Sequence, residues 1–149
     1  MSIEQVSLVT VIDDFLRKDF SFDQGHDLLG PARKEVAGTI LVSPRPGSNV
    51  ESAALETVAV GPNKPPFLAG MSVTLARPVV VDFADLRRRF GGERGLPLLS
   101  PGEDGRYVFG LQGDDYDGSL ILDVPGDSSA SMRKVNSQIL RRFPKGQEP

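Results

Sequence analysis

The sequence predicts a single α+β domain over residues 1–149, an antiparallel or mixed sheet of about five strands with two or three helices packed mainly on one face. Three observations carry this. The length is that of one ordinary domain, and 39% hydrophobic with 25% charged residues is the composition of a chain that buries a core. The first segment repeats apolar residues with the period of a helix. Most of the remaining chain alternates with the period of a strand, and glycine and proline fall between the periodic segments rather than inside them.

Taken in order, Leu8, Val9, Val11, Ile12, Phe15 and Leu16 form one apolar face, with Ser7, Thr10, Asp14, Arg17 and Lys18 opposite, so a helix is expected from Ile3 to Lys18. Asp19 to Arg33 reads as a connector lying against the body, punctuated by Gly25, Gly30 and Pro31. Thr39–Val42 is a short β-branched strand, and Val50–Val60 a longer one. Met71–Val81 reads as a strand broken at Arg77-Pro78, and because proline donates nothing to a ladder this part is expected at an edge. Asp82 as cap, Phe83, Leu86 and Phe90 at helical spacing, and Gly91 as a stop predict a short helix over Phe83–Phe90. A Gly/Pro-rich loop runs from Gly91 to Gly105. Arg106–Gln112 and Ser119–Val124 then alternate as a hairpin, joined by Gly113-Asp114-Asp115-Tyr116-Asp117-Gly118, where aspartate and glycine suit the positive-φ conformations of a turn. Residues 131–143 fit two readings. Ser131 as a cap with Met132, Val135, Ile139 and Phe143 gives a helix, whereas Val135, Ser137 and Ile139 alternate as a strand. No internal repeat or low-complexity tract occurs.

The absence of cysteine excludes disulfides, thiolate metal sites and cysteine nucleophiles. The N-terminus shows no signal-peptide pattern, and no apolar run approaches the ~20 residues of a membrane span. A cytoplasmic location and no membrane association are expected. The net charge is −3. Ser131–Pro149 carries five bases (Arg133, Lys134, Arg141, Arg142, Lys145) and one acid, a net of +4, which leaves −7 on the other 130 residues. That balance argues against a nucleic-acid partner. The basic segment reads as the solvated face of a helix with bases near its C-terminal end.

Asp115-x-Asp117-Gly118 resembles part of a calcium loop. In that alignment Gly113 and Val124 occupy the first and last ligand positions, and both should be carboxylates. No metal site is expected. His26 is the sole histidine, no Gly-x-Ser-x-Gly elbow accompanies it, and both phosphate-loop patterns are missing, so no catalytic residue and no cofactor site is assigned. Arg87-Arg88-Arg89 reads as a solvated helix face. Asp114, Asp115, Tyr116 and Asp117 are the candidate partner-binding residues, since three carboxylates around a tyrosine suit a basic protein partner. In size and character the chain is similar to immunity and inhibitor proteins that neutralise a toxin or enzyme. The expectation is therefore a non-enzymatic cytoplasmic protein-binding domain, monomeric or homodimeric. The alternatives are a small hydrolase with a carboxylate-lined pocket and a homo-oligomeric structural subunit.

Overall fold

The computed structural model describes residues 7–96, 105–124 and 132–145. Within them, three short helices, α1 (Leu8–Phe15), α2 (Phe22–Leu29) and α3 (Phe83–Phe90), accompany eight strands. The strands are β1 (Ala32–Val36), β2 (Thr39–Val42), β3 (Val50–Val58), β4 (Phe67–Asp82), β5 (Arg94–Leu96), β6 (Gly105–Gln112), β7 (Tyr116–Val124) and β8 (Met132–Pro144). They form one sheet in the order β1-β2-β3-β4-β8-β7-β6-β5, every neighbouring pair antiparallel. The expected sheet of about five strands is thus too small. The chain is mostly sheet, with helices as minor elements. No helix among the described residues is long and apolar enough to cross a membrane.

The strand registers explain the core. Ile40, Leu55, Met71, Leu140, Leu120 and Phe109 stand opposite one another across six consecutive strands, so one continuous apolar row faces the same way. Five of these six residues are buried, and Ile40 packs against them. On this face α1 places Val11, Ile12, Phe15 and Leu16, α2 places Leu29, and α3 places Phe83 and Leu86, all buried. The alternate residues of the strands point away from the helices.

Ser7 caps α1, accepting from the Thr10 amide, so the helix begins later than Ile3, which lies outside the described residues. The sequence reading missed α2, although Ser21 and Gln24 form a complete capping box at its start. It missed β1 and β5 as well. The turn from β1 to β2 carries Ala37 and Gly38 at φ 50° and 85°, the left-handed pair of a tight hairpin. The α3 boundaries hold as read: the Asp82 carboxylate accepts from the Ala84 amide, and Gly91 at φ 90° ends the helix.

β4 is the fourth strand in the order, but its ladder with β3 ends at Leu75, so that from Val79 to Asp82 it is laddered with β8 alone, and the proline falls in an interruption of the ladder with β8. Between Thr74↔Ser137 and Val79↔Val135, four residues of β4 face the single Asn136. On the other side Asn49 clips this bulge: its side-chain amide donates to the Arg77 carbonyl (2.8 Å) and accepts from the Arg77 N–H (2.9 Å). Of the two readings of residues 131–143 the strand holds, over Met132–Pro144; Ser131 lies outside the described residues. The bulge also flips the parity of β8. Arg133 and Val135 face the core before it, Leu140 and Arg142 after it. The basic segment is therefore not a solvated helix face, because two of its five bases point inward at 6% exposure each.

On the face away from the helices, Asp123 of β7 accepts from Arg106 (2.7 Å) and from the Ser137 hydroxyl (2.7 Å). Burial alone would raise its carboxyl pKa, but the hydrogen bonds from Arg106 and Ser137 and the charge of Arg106 outweigh it and hold it below its ordinary value. The hydrogen bond from Arg87 holds Glu93 low in the same way, against its burial. A carboxylate held low stabilises the fold fully above its unfolded pKa, and that contribution fades as pH falls through the folded one. Urea unfolding is therefore expected to give a flat stability profile from about pH 7 to 5 and a decline below about pH 4.5. The double variant Asp123→Asn/Glu93→Gln should flatten the acid side. Parallel profiles for variant and wild type below about pH 4.5 would refute the assignment.

Candidate functional site

Where helix α1 ends, its last carbonyl groups lose their intrahelical partners and must find others. The β6–β7 loop supplies them. The amides of Asp115 (3.2 Å) and Tyr116 (3.0 Å) both donate to the Leu16 carbonyl, and the Lys18 amide donates back to the Asp115 carboxylate (2.9 Å). The Gly113 amide closes the turn on the Tyr116 carbonyl at 3.0 Å. The loop is thus a cap for a helix about a hundred residues earlier, fastened to it by three hydrogen bonds.

Its glycines serve a different purpose from the one expected. Neither Gly113 nor Gly118 has a positive φ. Both leave space: a Cβ on Gly113 would strike Leu16, and one on Gly118 would strike the Arg141 carbonyl and touch Leu16. They let Leu16 seat directly on the hairpin.

The four candidate residues have different surroundings. Asp114 is open, its side chain 78% exposed with Arg17 at 3.6 Å. Asp115 is exposed but serves the Lys18 amide. Asp117 pairs with Lys145 at 3.2 Å. Tyr116 is half-buried: its ring meets Phe67 edge-on (5.4 Å) and lies 4.7 Å from the Arg142 guanidinium. It anchors the loop. No group of three or more His, Cys, Asp or Glu side chains suited to a metal ion occurs among the described residues.

The residue that sequence reading missed is Arg142. Its guanidinium donates to the carbonyls of Leu68 (2.7 Å), Phe15 (2.9 Å), Arg17 (3.1 Å) and Phe20 (3.4 Å). The rings of Phe15, Phe67 and Tyr116 stand within 5.0 Å of it. Burial lowers its pKa, an effect the neighbouring Tyr116 partly offsets. Strand β8 thereby holds the end of α1 and the base of the loop together.

Beside the loop lies a polar cleft of about 380 Å³ lined by Asp13, Arg17, Arg89, Gln112, Gly113 and Asp114. Arg89 grips Asp13 through two contacts of 2.8 Å, so α3 is tied to α1 across the cleft. The arginine run of α3 is engaged throughout: Arg87 holds Glu93, Arg88 holds Asp85 and Arg89 holds Asp13. His26 sits elsewhere, at the end of α2, with Nδ1 3.0 Å from the Gly30 carbonyl. Compared with models of protein families, with curated proteins and with solved structures, the chain matches none.

Proposed function

We propose that this chain is a non-enzymatic cytoplasmic protein-binding domain of the immunity or inhibitor kind, and that it meets a basic protein partner through the β6–β7 loop and the adjoining end of α1. The observation that supports this reading is the pre-ordering of an acidic loop. Hydrogen bonds to Leu16 and Lys18 fix the loop, while Asp114 and Asp115 remain exposed. A loop ordered before the encounter loses little entropy on binding. Asp14 on α1, which shares the single Arg17 with Asp114, extends the same charge, and such a surface accelerates association with a basic partner. Tyr116 contributes as the anchor of the loop, with Asp117 at its rim.

The test compares wild type with Asp114→Lys/Asp14→Lys as baits in native lysate at about 0.15 M salt, near physiological ionic strength. Wild type should retain a partner of basic composition. The double reversal should lose it, with an association rate reduced roughly tenfold or more and steeply salt-dependent in the wild type. Retention of nothing, or equal retention by both baits, would overturn the reading.

A further inference from the structure

Strand β3 has nine residues and β4 sixteen, so β4 runs on past its neighbour. Their ladder ends at Val50↔Leu75, and from Val79 to Asp82 only β8 pairs with β4. In an antiparallel ladder alternate residues turn their N–H and C=O groups to opposite sides. Two of these four residues therefore offer main-chain groups to the lane beyond the end of β3, and no strand among the described residues fills it. The devices that blunt an edge stop short of this stretch. Val79-Val80-Val81-Asp82 contains no lysine and no proline, its register with β8 is regular, and both Pro78 and the bulge precede it.

A groove of about 220 Å³ accompanies this edge, its apolar wall made by Leu8 and Val9 of α1, Val81 of β4 and Leu86 of α3. Val81 stands opposite Arg133 and so points to the helix side, whereas Val80 points the other way and is 57% exposed. The charged residues of the groove are Asp82 and Asp85, and among the described residues no base lines it. Asp82 caps α3 and Asp85 pairs with Arg88 at 2.9 Å, which leaves one negative charge in excess at this end. We propose that the edge binds an extended segment of another protein as an added strand, with apolar residues at alternate positions for the groove and a lysine or arginine for Asp82 and Asp85. In strand addition the main-chain hydrogen bonds supply affinity, and the pocket and the charge supply specificity. The groove lies at the start of α1 and the β6–β7 loop at its end, so each site is tested without the other.

Short synthetic peptides titrated into the full chain and followed by nuclear magnetic resonance test this. The first alternates valine and threonine between terminal lysines. The second carries glutamates in place of the lysines. The third is the lysine peptide N-methylated at its interior amides, which removes the main-chain donors of both its edges. The lysine peptide should bind with a Kd below about 1 mM, shift the amides of Val79–Asp82 and slow hydrogen exchange at the two that face outward. The glutamate peptide should bind roughly tenfold more weakly, and the methylated peptide not measurably. Asp85→Lys should reverse the preference between lysine and glutamate, with an unchanged spectrum elsewhere to show that the variant folds. Asp114→Lys/Asp14→Lys should leave the lysine peptide's affinity unchanged, because the loop takes no part. No binding by the lysine peptide, binding that survives N-methylation, an Asp85→Lys variant with unaltered preference, or shifts centred on the loop would each overturn the proposal.

Discussion

Replacing Arg142 with methionine is expected to cost about 3–5 kcal/mol of folding free energy, the range for stranding the partners of a buried charge. Buried ion pairs can often be exchanged for hydrophobic residues at little cost, because both charges leave together. Arg142 offers no such exchange. Its partners are main-chain carbonyls of Phe15, Arg17, Phe20 and Leu68, and no side-chain substitution removes those. Methionine fills the volume but leaves the carbonyls without the fork, each at a penalty of about 1–3 kcal/mol if water cannot reach it. Two of the four belong to the end of α1, so the helix terminus should fray with the loop that rests on it.

Lysine at the same position distinguishes charge from geometry. It keeps a cation among the rings of Phe15, Phe67 and Tyr116 but cannot reach several carbonyls at once. Arg142→Lys should therefore lose about half as much as Arg142→Met, roughly 2 kcal/mol. Urea unfolding of the three proteins decides it. A loss below about 1 kcal/mol for Arg142→Met would show that the guanidinium is not what joins α1 to the sheet.

How much of this could be read from the sequence depends on how local each signal is. Asp82, Phe83, Leu86, Phe90 and Gly91 specify α3 within ten residues, and it formed as read. The hairpin of β6 and β7 alternates cleanly and formed as well. Strand β8 left helix and strand both open because its buried face changes parity at Asn136, opposite a bulge in β4; a strand that switches parity imitates a helix in spacing. Strand β1 left no apolar pattern because it buries nothing. In α2, Gly25 lowered the helical signal; it lets the helix lie close to β3, where a Cβ would come within 3.1 Å of the Leu55 side chain. The acidic loop was legible as a loop. Its role was not: the bond from Lys18 to Asp115 spans 97 positions, and nothing near either residue announces the other. Arg142 looked like one base among several because only the tertiary contacts turn it inward.

Gly118→Ala should be the second severe substitution, at about 3 kcal/mol, the upper end for forcing a methyl group into a packed core. Gly118 stands in β7 between Leu111 of β6 and Arg142 of β8, beneath Leu16. A methyl group there meets the Arg141 carbonyl, which belongs to the ladder and cannot withdraw, and Leu16 Cδ2 at 3.1 Å. The strands must part or α1 must lift. Gly110, in the neighbouring strand β6, provides the control, because its Cβ would meet nothing within 4 Å. Gly110→Ala should be neutral or stabilising by a few tenths of a kcal/mol, since alanine loses less backbone entropy on folding. Gly113→Ala separates stability from recognition. Its methyl group would strike Leu16 and come within 2.9 Å of the Tyr116 carbonyl, pushing the loop off the helix end that orders it. That variant should lose partner binding at temperatures where it remains folded, because Asp114 and Asp115 would then be ordered only upon contact. If Gly113→Ala binds as wild type does while Gly118→Ala and Gly110→Ala unfold alike, the seating of Leu16 on these glycines is not what sets the loop in place.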